Sequence, residues 1–247
     1  MKNENTIPAL DKALSAIEYL CSADRSVTQA ELSRAVDVTA TTGYRIVQTL
    51  MKHNWIRKNR GNTYSLSPGM LILFLKLRNG GALFDSAQPV LEELARRTRL
   101  ACKLSIRQWN EQLSVLRAES PEPFSVSGKN GSRFPVIEGS VGAALLFGES
   151  EETIRSLASE CRAEIPEKSD PDLVLRRIAE LRRKGYLFNR GNNRWRVDAM
   201  SMPVFDSRNQ VAAAVTLLGI REDFSDATLP SLAEKLAEAV RKIETMI

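Results

Sequence analysis

Histidine and cysteine are both scarce in this sequence, and the shortage limits the chemistry that the chain can support. Its 247 residues include one histidine, His53, and three widely spaced cysteines, Cys21, Cys102 and Cys161. A Ser-His-Asp triad, a Cys-His dyad or a HExxH zinc site would each have to use His53. The cysteines lack CxxC spacing, so buried free thiols are predicted rather than zinc ligands or disulfides. We therefore expect no catalytic residues, no metal and no cofactor.

Long hydrophobic runs are also missing. The longest strongly apolar run, Met70–Leu75, is far shorter than the roughly 20 residues that a membrane-spanning helix needs. No apolar segment follows the N-terminus in the manner of a signal peptide. With 43% hydrophobic and 26% charged residues, the composition is typical of a globular protein. A cytoplasmic protein without a membrane partner is predicted.

Acidic residues are absent from one long stretch. From Val38 to Phe84 there is no Asp or Glu, although the stretch contains seven lysines and arginines. The net charge of the chain is +5, so the remainder carries +5 − 7 = −2. A carboxylate-free block in an otherwise acidic chain is typical of a surface that binds a polyanion. The alternative is a chance cluster of cations on a solvated face.

Three helices are predicted ahead of a hairpin. Helical spacing of apolar residues places the first over about Ala9–Ser22. The second begins after Thr28, which forms a T-x-x-E capping box with Glu31. Thr39 is the predicted N-cap of the third, at about Ala40–His53. Two short helices joined by a tight turn form a helix-turn-helix.

The third helix is apolar on one side, and its other side presents hydroxyls, an amide and a cation. Such a helix fits the major groove of DNA, where its N-terminal residues reach base edges. Arg45 suits guanine or phosphate, and Gln48 suits adenine. A plain surface helix is the alternative, although such faces normally mix acids with bases. The predicted DNA contacts of the helices and their caps are Thr28, Thr39, Thr41, Thr42, Tyr44, Arg45 and Gln48.

A basic hairpin is predicted directly after this helix. Ile56 and Tyr64–Leu66 flank a turn centred on Asn59–Asn62, which is typical of two paired strands. Its position matches the wing of a winged helix, which contacts the DNA backbone or the minor groove. An ordinary basic hairpin is the alternative. The predicted wing contacts are Arg57, Lys58 and Arg60.

The order of the segments ALDKALSAIEYL, VTQAELSRAV, TTGYRIVQTLMKHNWI and YSLSPGMLIL resembles the IclR family of bacterial transcription regulators. The family's Ser/Thr-Thr-x-x-Arg pattern is matched by Thr41, Thr42 and Arg45. The usual glycine between the two helices is Asp37 here, and Asp tolerates the left-handed conformation. The resemblance covers nearly the whole chain and implies an α+β protein. Its implied parts are a winged helix-turn-helix DNA-binding domain (1–67), a linker helix (68–82) and a GAF-like, antiparallel-sheet effector-binding domain (83–247).

The resemblance also implies a linker helix here and dimerisation through the N-terminal domains. Independently, the apolar segment Met70–Leu77 predicts packing on the second domain or on another subunit. Two DNA-binding domains raise affinity and match a palindromic site. We expect a homodimer or a dimer of dimers on a double-stranded DNA operator.

The pattern from residue 83 onward predicts helices that flank an antiparallel sheet, an α+β arrangement. Two strands pair around Asn110, and FSVSG (124–128) is a possible third strand. Helices are predicted over about 83–98, 151–161 and 171–184, and from Leu229 onward. The small-residue turn at 139–148 enters a further apolar helix. Two further strands lie over 198–206 and 210–219.

The turn GSVGAA can direct free backbone N–H groups at a small anion, although small residues equally permit close packing. IclR effectors are typically small carboxylates or aromatic acids, so the resemblance implies an effector of that class. Arg190 stands where the family often has an acidic residue, and Leu218 stands where it often has a hydroxyl. The added cation and the lost hydroxyl favour an anionic ligand with a larger apolar body. The alternative is that Arg190 faces solvent. The implied contacts are Ser140, Val141, Gly142, Arg190, Met202, Thr216 and Leu218.

Together these features predict a sequence-specific DNA-binding transcriptional regulator whose operator binding responds to a small organic acid. A non-specific architectural nucleic-acid binder would not need the C-terminal domain. An enzyme in that domain is disfavoured by the single histidine.

Overall fold

The computed structural model describes residues 6–23, 25–71, 73, 82–161, 169–191 and 196–247. The chain divides into two compact units, residues 1–80 and 81–247. Within the described residues, none of the helices combines the length and the apolar character that crossing a membrane requires. Most of the predicted linker helix lies outside the described residues.

The first unit packs three helices on a small sheet, as predicted. A buried cluster that includes Val47, Leu32 and Ile56 joins the helices to the sheet. All strand pairs are antiparallel, in the order β1-β3-β2. The elements are α1 (Pro8–Ser22), β1 (Val27–Thr28), α2 (Gln29–Ala35), α3 (Ala40–Lys52), β2 (Ile56–Lys58) and β3 (Thr63–Leu66).

Local capping signals fix the start of α2 and the turn that leads to α3. The Thr28 side chain accepts from the Glu31 backbone N–H, and Glu31 accepts from the Thr28 N–H at 2.7 Å, which confirms the capping box. The pKa of Glu31 is lowered to about 2, chiefly by a hydrogen bond from Arg25 and to a smaller extent by hydrogen bonds from Thr28. Asp37 has φ 53°, so the left-handed turn residue is confirmed.

The turn at Asp37 predicts a stability effect that depends on backbone conformation alone. Asp37→Val should destabilise the first unit by about 1–2 kcal/mol, because a β-branched residue resists positive φ. Asp37→Gly meets no such penalty and serves as the matched control. Hydrogen exchange of α2 and α3 amides in the full chain measures both. Equal exchange in the two variants would contradict the assignment.

The second unit is a six-stranded antiparallel sheet with helices on both faces. Its elements in chain order are α4 (Ala82–Thr98), β4 (Ala101–Gln108), β5 (Glu111–Ala118), β6 (Arg133–Pro135), α5 (Gly139–Leu145), α6 (Glu151–Glu160), α7 (Pro171–Lys184), β7 (Leu187–Asn189), β8 (Asp198–Phe205), β9 (Val211–Gly219) and α8 (Leu229–Glu244). The strand order is β6-β5-β4-β9-β8-β7. One face packs on α4 and α8, and the other packs on α5, which in turn contacts α7.

One prediction for this unit and one for the cysteines were wrong. FSVSG forms no strand, and Phe124 in it is 94% exposed; the strand beside β5 is instead β6. Neither β6 nor the short strand β7 was predicted. Both are edge strands that depend on a neighbour for pairing rather than on their own composition. Cys102 and Cys161 are buried free thiols as predicted, whereas Cys21 is exposed.

Candidate nucleic-acid interface and effector cavity

The outer face of α3 is exposed and carries no acidic group. Tyr44, Arg45 and Gln48 lie on it, with Thr41 one turn nearer the helix start. Tyr44 is 51% exposed, a large fraction for an aromatic side chain. Within the described ranges, no intramolecular hydrogen bond or ion pair occupies the side chains of Tyr44, Arg45 or Gln48. This face is therefore available to an outside partner.

The threonines at the helix starts have their hydroxyls occupied. The Thr28 hydroxyl donates to Glu31 at 2.9 Å and accepts from the backbone N–H of the same residue. The Thr39 hydroxyl accepts from the Thr42 N–H at 3.2 Å and lies 3.0 Å from the Thr42 hydroxyl. Satisfied caps hold the first turns of α2 and α3 in place.

The hairpin β2–β3 places its predicted basic residues at the surface. Arg57, Lys58 and Arg60 are all exposed. The turn is closed by Asn59, whose backbone N–H donates to the Thr63 carbonyl at 2.7 Å. Arg57 Nε donates to a serine hydroxyl on β3, an arrangement that leaves the rest of its guanidinium accessible. The hairpin thus carries three cations beside a recognition-type helix.

A cavity of about 490 Å³ lies between the sheet and the start of α5. All six strands of the sheet contribute at least one residue to its walls. Both polar and apolar side chains line it, as is usual for small-molecule sites. They include Lys103, Gln112, Ser114, Phe134, Glu138, Ser140, Val141, Asn189, Ala199 and Leu218.

The sheet face toward this cavity is polar, although the sheet is covered on both sides. Alternation along β4 places Cys102 and Leu104 in the apolar core against α4 and α8, and Lys103 and Ser105 on the opposite face. Ser105 stands in register with Ser114 of β5. Among the described residues, the hydroxyl oxygens of these two serines are buried without a hydrogen-bond partner. Unsatisfied buried polar groups are uncommon in native proteins, and of these two serines Ser114 lines the cavity, where a ligand can reach its hydroxyl.

Ser140, Ser201 and Thr216 form a buried chain of hydroxyls beside the cavity. Ser201 Oγ donates to Ser140 Oγ at 2.9 Å and lies 2.8 Å from Thr216 Oγ1. All three residues are at most 1% exposed. Ser140 is among the cavity-lining residues, whereas Thr216 is not. Thr216 is therefore linked to the cavity through Ser201 and Ser140.

The other predicted effector residues divide between the cavity and the surrounding structure. Val141 and Leu218 line it. Gly142 does not: a Cβ there would lie 2.1 Å from the Val136 carbonyl oxygen, so this glycine permits close packing of α5.

The structure does not place Met202 and Arg190 at the cavity. Met202 faces the core against α4 and α8, because successive strand residues alternate and Ser201 is the one that faces α5. Arg190 lines a separate groove. A terminal nitrogen of its guanidinium lies 3.7 Å from a carboxylate oxygen of Asp226. Asn189, its neighbour, lines the cavity instead.

Lys103 is a buried charged residue among the cavity residues that the sequence analysis did not name. It is 9% exposed, and burial lowers the pKa of its ammonium group to about 8. Its Nζ lies 5.7 Å from the centre of the Phe134 ring. A signal was present in the sequence, because Lys103 and Ser105 alternate with Cys102 and Leu104 in the predicted strand.

Comparison with known proteins identifies the two units. Residues 9–60 match the IclR helix-turn-helix domain. Residues 79–245 match the C-terminal domain of the bacterial transcriptional regulator IclR, over more than half of the chain. The chain belongs to the IclR family. It is accordingly a transcriptional regulator with a helix-turn-helix DNA-binding domain and an IclR effector domain.

Relatives of this IclR-family protein match it along nearly their whole length. The regulator KipR of Bacillus subtilis (strain 168) is 25% identical over 225 residues, which cover 90% of each chain. The crystal structure of an IclR regulator from Alicyclobacillus acidocaldarius has a TM-score of 0.81 and 23% identity, with 98% of this chain and 99% of that chain covered. An IclR homolog from Microbacterium hydrocarbonoxydans, crystallised with 4-hydroxybenzoate, has a TM-score of 0.79 and 24% identity, covering 96% and 98%. These likenesses confirm the predicted fold class.

Both candidate sites lie within the segments that match the IclR family. The face of α3 lies within the helix-turn-helix match, and the cavity lies within the C-terminal match. In the part of the chain that the structure describes, no three His, Cys, Asp or Glu side chains are grouped so that they could hold a metal ion.

Proposed function

We propose that this protein binds a specific DNA operator through α3 and the β2–β3 hairpin, and that a small organic acid in the effector cavity modulates this binding. The most direct support is the exposed face of α3, which has a cation, an amide and a phenol but no carboxylate. Helices of this type read the major groove. The acid-free stretch from Val38 to Phe84 supplies an attractive field for the phosphate backbone.

Different residues have different proposed roles on DNA. Arg45 contacts a guanine edge through two hydrogen bonds, and Gln48 contacts adenine. Thr41, Thr42 and Tyr44 contact phosphate or a thymine methyl group. The hydroxyls of Thr28 and Thr39 are occupied by their caps, so these two residues position the helices. The wing residues Arg57, Lys58 and Arg60 neutralise phosphates.

The proposed effector is a small organic acid with an apolar body. A volume of about 490 Å³ is within the range of small-ligand pockets, roughly 300–1,000 Å³. Ser140, Val141 and Leu218 remain proposed contacts, with Thr216 acting through Ser201. The complex of the Microbacterium homolog with 4-hydroxybenzoate supports an aromatic acid as the first compound to test.

Regulation by such a ligand requires that it bind one conformational state more tightly than another. We propose a homodimer or a dimer of dimers as the unit in which this shift occurs, since paired DNA-binding domains match palindromic half-sites. Light scattering behind size-exclusion chromatography, with and without DNA, measures the assembly. A monomer that footprints a single half-site would contradict the proposal.

The decisive experiment is footprinting of the full chain on the DNA upstream of its own gene, with and without aromatic and aliphatic acids. Protection of a discrete site that an acid strengthens or weakens is the expected result. Equal affinity for unrelated DNA would instead favour a non-specific architectural binder. Turnover of an acid that is lost in Ser140→Ala, with DNA binding intact, would favour an enzyme.

The wing predicts a change in salt dependence rather than in sequence preference. Replacing Arg57, Lys58 and Arg60 together by alanine should weaken binding to every sequence. Each phosphate contact that is lost should reduce the slope of log K against log salt by about 0.9. Fluorescence anisotropy at several salt concentrations measures this. Removing exposed cations of the second unit, Arg208 and Arg221, is the control; an equal change in slope there would contradict a special role for the wing.

A further inference from the structure

A buried cation faces the effector cavity without a counter-charge. Lys103 lies on β4, a strand with neighbours on both sides, and is 9% exposed. Its side chain is on the face that lines the cavity. Within the described residues, no hydrogen bond or ion pair engages its ammonium group, and burial is the sole cause of the shift in its pKa. An uncompensated buried charge is costly to a fold, so its presence calls for an explanation.

The acidic residue of the cavity has another basic neighbour. Glu138 is buried. Burial lowers the pKa of Arg177 on α7, and the charge of Glu138 partly opposes that shift. Among the carboxylates of the described residues, none has a comparable effect on the pKa of Lys103. The other lysine that lines the cavity, Lys129, is exposed. Lys103 is therefore the buried positive charge that the described cavity offers to a ligand.

The surroundings of Lys103 suit a carboxylate joined to an apolar ring. The Phe134 ring lies beside the ammonium group, with its centre 5.7 Å away. The Ser114 hydroxyl, buried and unpartnered, lines the same cavity. Val141 and Leu218 supply apolar surface for the rest of a ligand. A few convergent polar groups within an apolar lining fix the orientation of a small ligand.

We propose that Lys103 is the counter-ion of the effector's carboxylate and thereby sets the preference of this regulator for anionic ligands with an apolar body. This inference rests on the proposed effector function of the same cavity. It fixes the orientation of the ligand, with the acid group toward the sheet at Lys103 and the ring beside Phe134. Lys103 was not among the contacts that the resemblance to other IclR proteins implied.

The test compares acids with their uncharged amides on the full chain. Isothermal titration uses benzoate and 4-hydroxybenzoate against benzamide and 4-hydroxybenzamide, which have nearly the same shape. Wild-type protein should prefer each acid. Lys103→Met should weaken acid binding by about 10- to 100-fold, in line with the loss of a hydrogen bond to a charged group. Amide binding should change by less than about threefold, because the methionine keeps the side-chain volume.

Two variants separate charge from packing. Lys103→Arg keeps a cation and should retain the preference for acids. Lys129→Met removes an exposed lysine of the same cavity and should leave the preference intact, because an exposed charge is screened. Thermal unfolding verifies that each variant is folded. If Lys103→Met does not fold, Lys103→Gln, which removes the charge but keeps a polar side chain, replaces it in the same comparison of acids with amides and should lose the preference for acids.

The outcomes distinguish failure of this inference from failure of the proposed function. An acid preference that survives in folded Lys103→Met would overturn the role of Lys103 and leave the effector cavity standing. The same holds if Lys129→Met abolishes the preference. Absence of acid binding by wild-type protein that still footprints its operator would overturn both the acid effector and this inference, but not DNA recognition.

Discussion

Arg45→Ala should weaken binding to the specific operator by about 1–3 kcal/mol while leaving binding to unrelated DNA much less affected. The guanidinium of Arg45 is exposed on α3 and has no intramolecular partner among the described residues. A bidentate contact with guanine discriminates that base from the others. Alanine is also the strongest helix former, so α3 itself should remain intact. The loss can then be assigned to recognition rather than to folding.

The measurement is the ratio of affinities for operator and for unrelated DNA, by anisotropy at one fixed salt concentration. Arg208→Ala removes the same charge from an exposed turn of the second unit and should leave the ratio unchanged. Arg45→Lys keeps the charge but loses the planar fork, so it should retain salt dependence and lose much of the discrimination. If the ratio of the two affinities were unchanged in Arg45→Ala, Arg45 would not contribute to recognition of the operator sequence.

Gly142→Ala should destabilise the effector domain by about 1–3 kcal/mol or more, although it adds a single methyl group. The new Cβ would lie 2.1 Å from the Val136 carbonyl oxygen, which is a backbone atom and cannot rotate away. Helix α5 would have to move from the sheet. Because α5 carries Ser140 and Val141 to the cavity, effector affinity should fall together with stability.

Gly148→Ala is the matched control, since a Cβ at that position would have no neighbour within 4 Å. Its effect should lie within about 0.5 kcal/mol, as for most surface substitutions. Thermal unfolding and hydrogen exchange of α5 amides provide the two measurements. If Gly142→Ala were as stable as Gly148→Ala, the small residues of this turn would not be explained by close packing.

The first unit could be predicted almost residue by residue because its signals are local. A capping box requires two residues that are three apart, and Thr28 and Glu31 form it as expected. The apolar positions of α3 recur at helical spacing, and they are buried. The left-handed residue between the helices is Asp37. None of these features requires knowledge of a distant part of the chain, and together they define the exposed face of α3.

The cavity could be predicted only in part, because its walls come from distant segments. The small-residue turn at Ser140 and Val141 was recognised, and it lines the cavity. Which residue of β8 faces α5 depends on strand register, and a shift of one residue separates Ser201 from Met202. The edge strands β6 and β7 likewise depend on partners that are remote in sequence.

The sequence by itself determined the helix-turn-helix, the cationic stretch beside it and the membership of a regulator family. Periodicity, capping and charge act over a few residues, so they can be read without coordinates. Only the tertiary structure decided that Lys103 lies buried at a ligand-sized cavity, because that follows from the pairing of β4 with β5 and β9. Alternation gives a strand two faces, but only its packing decides which face meets a core and which meets a ligand.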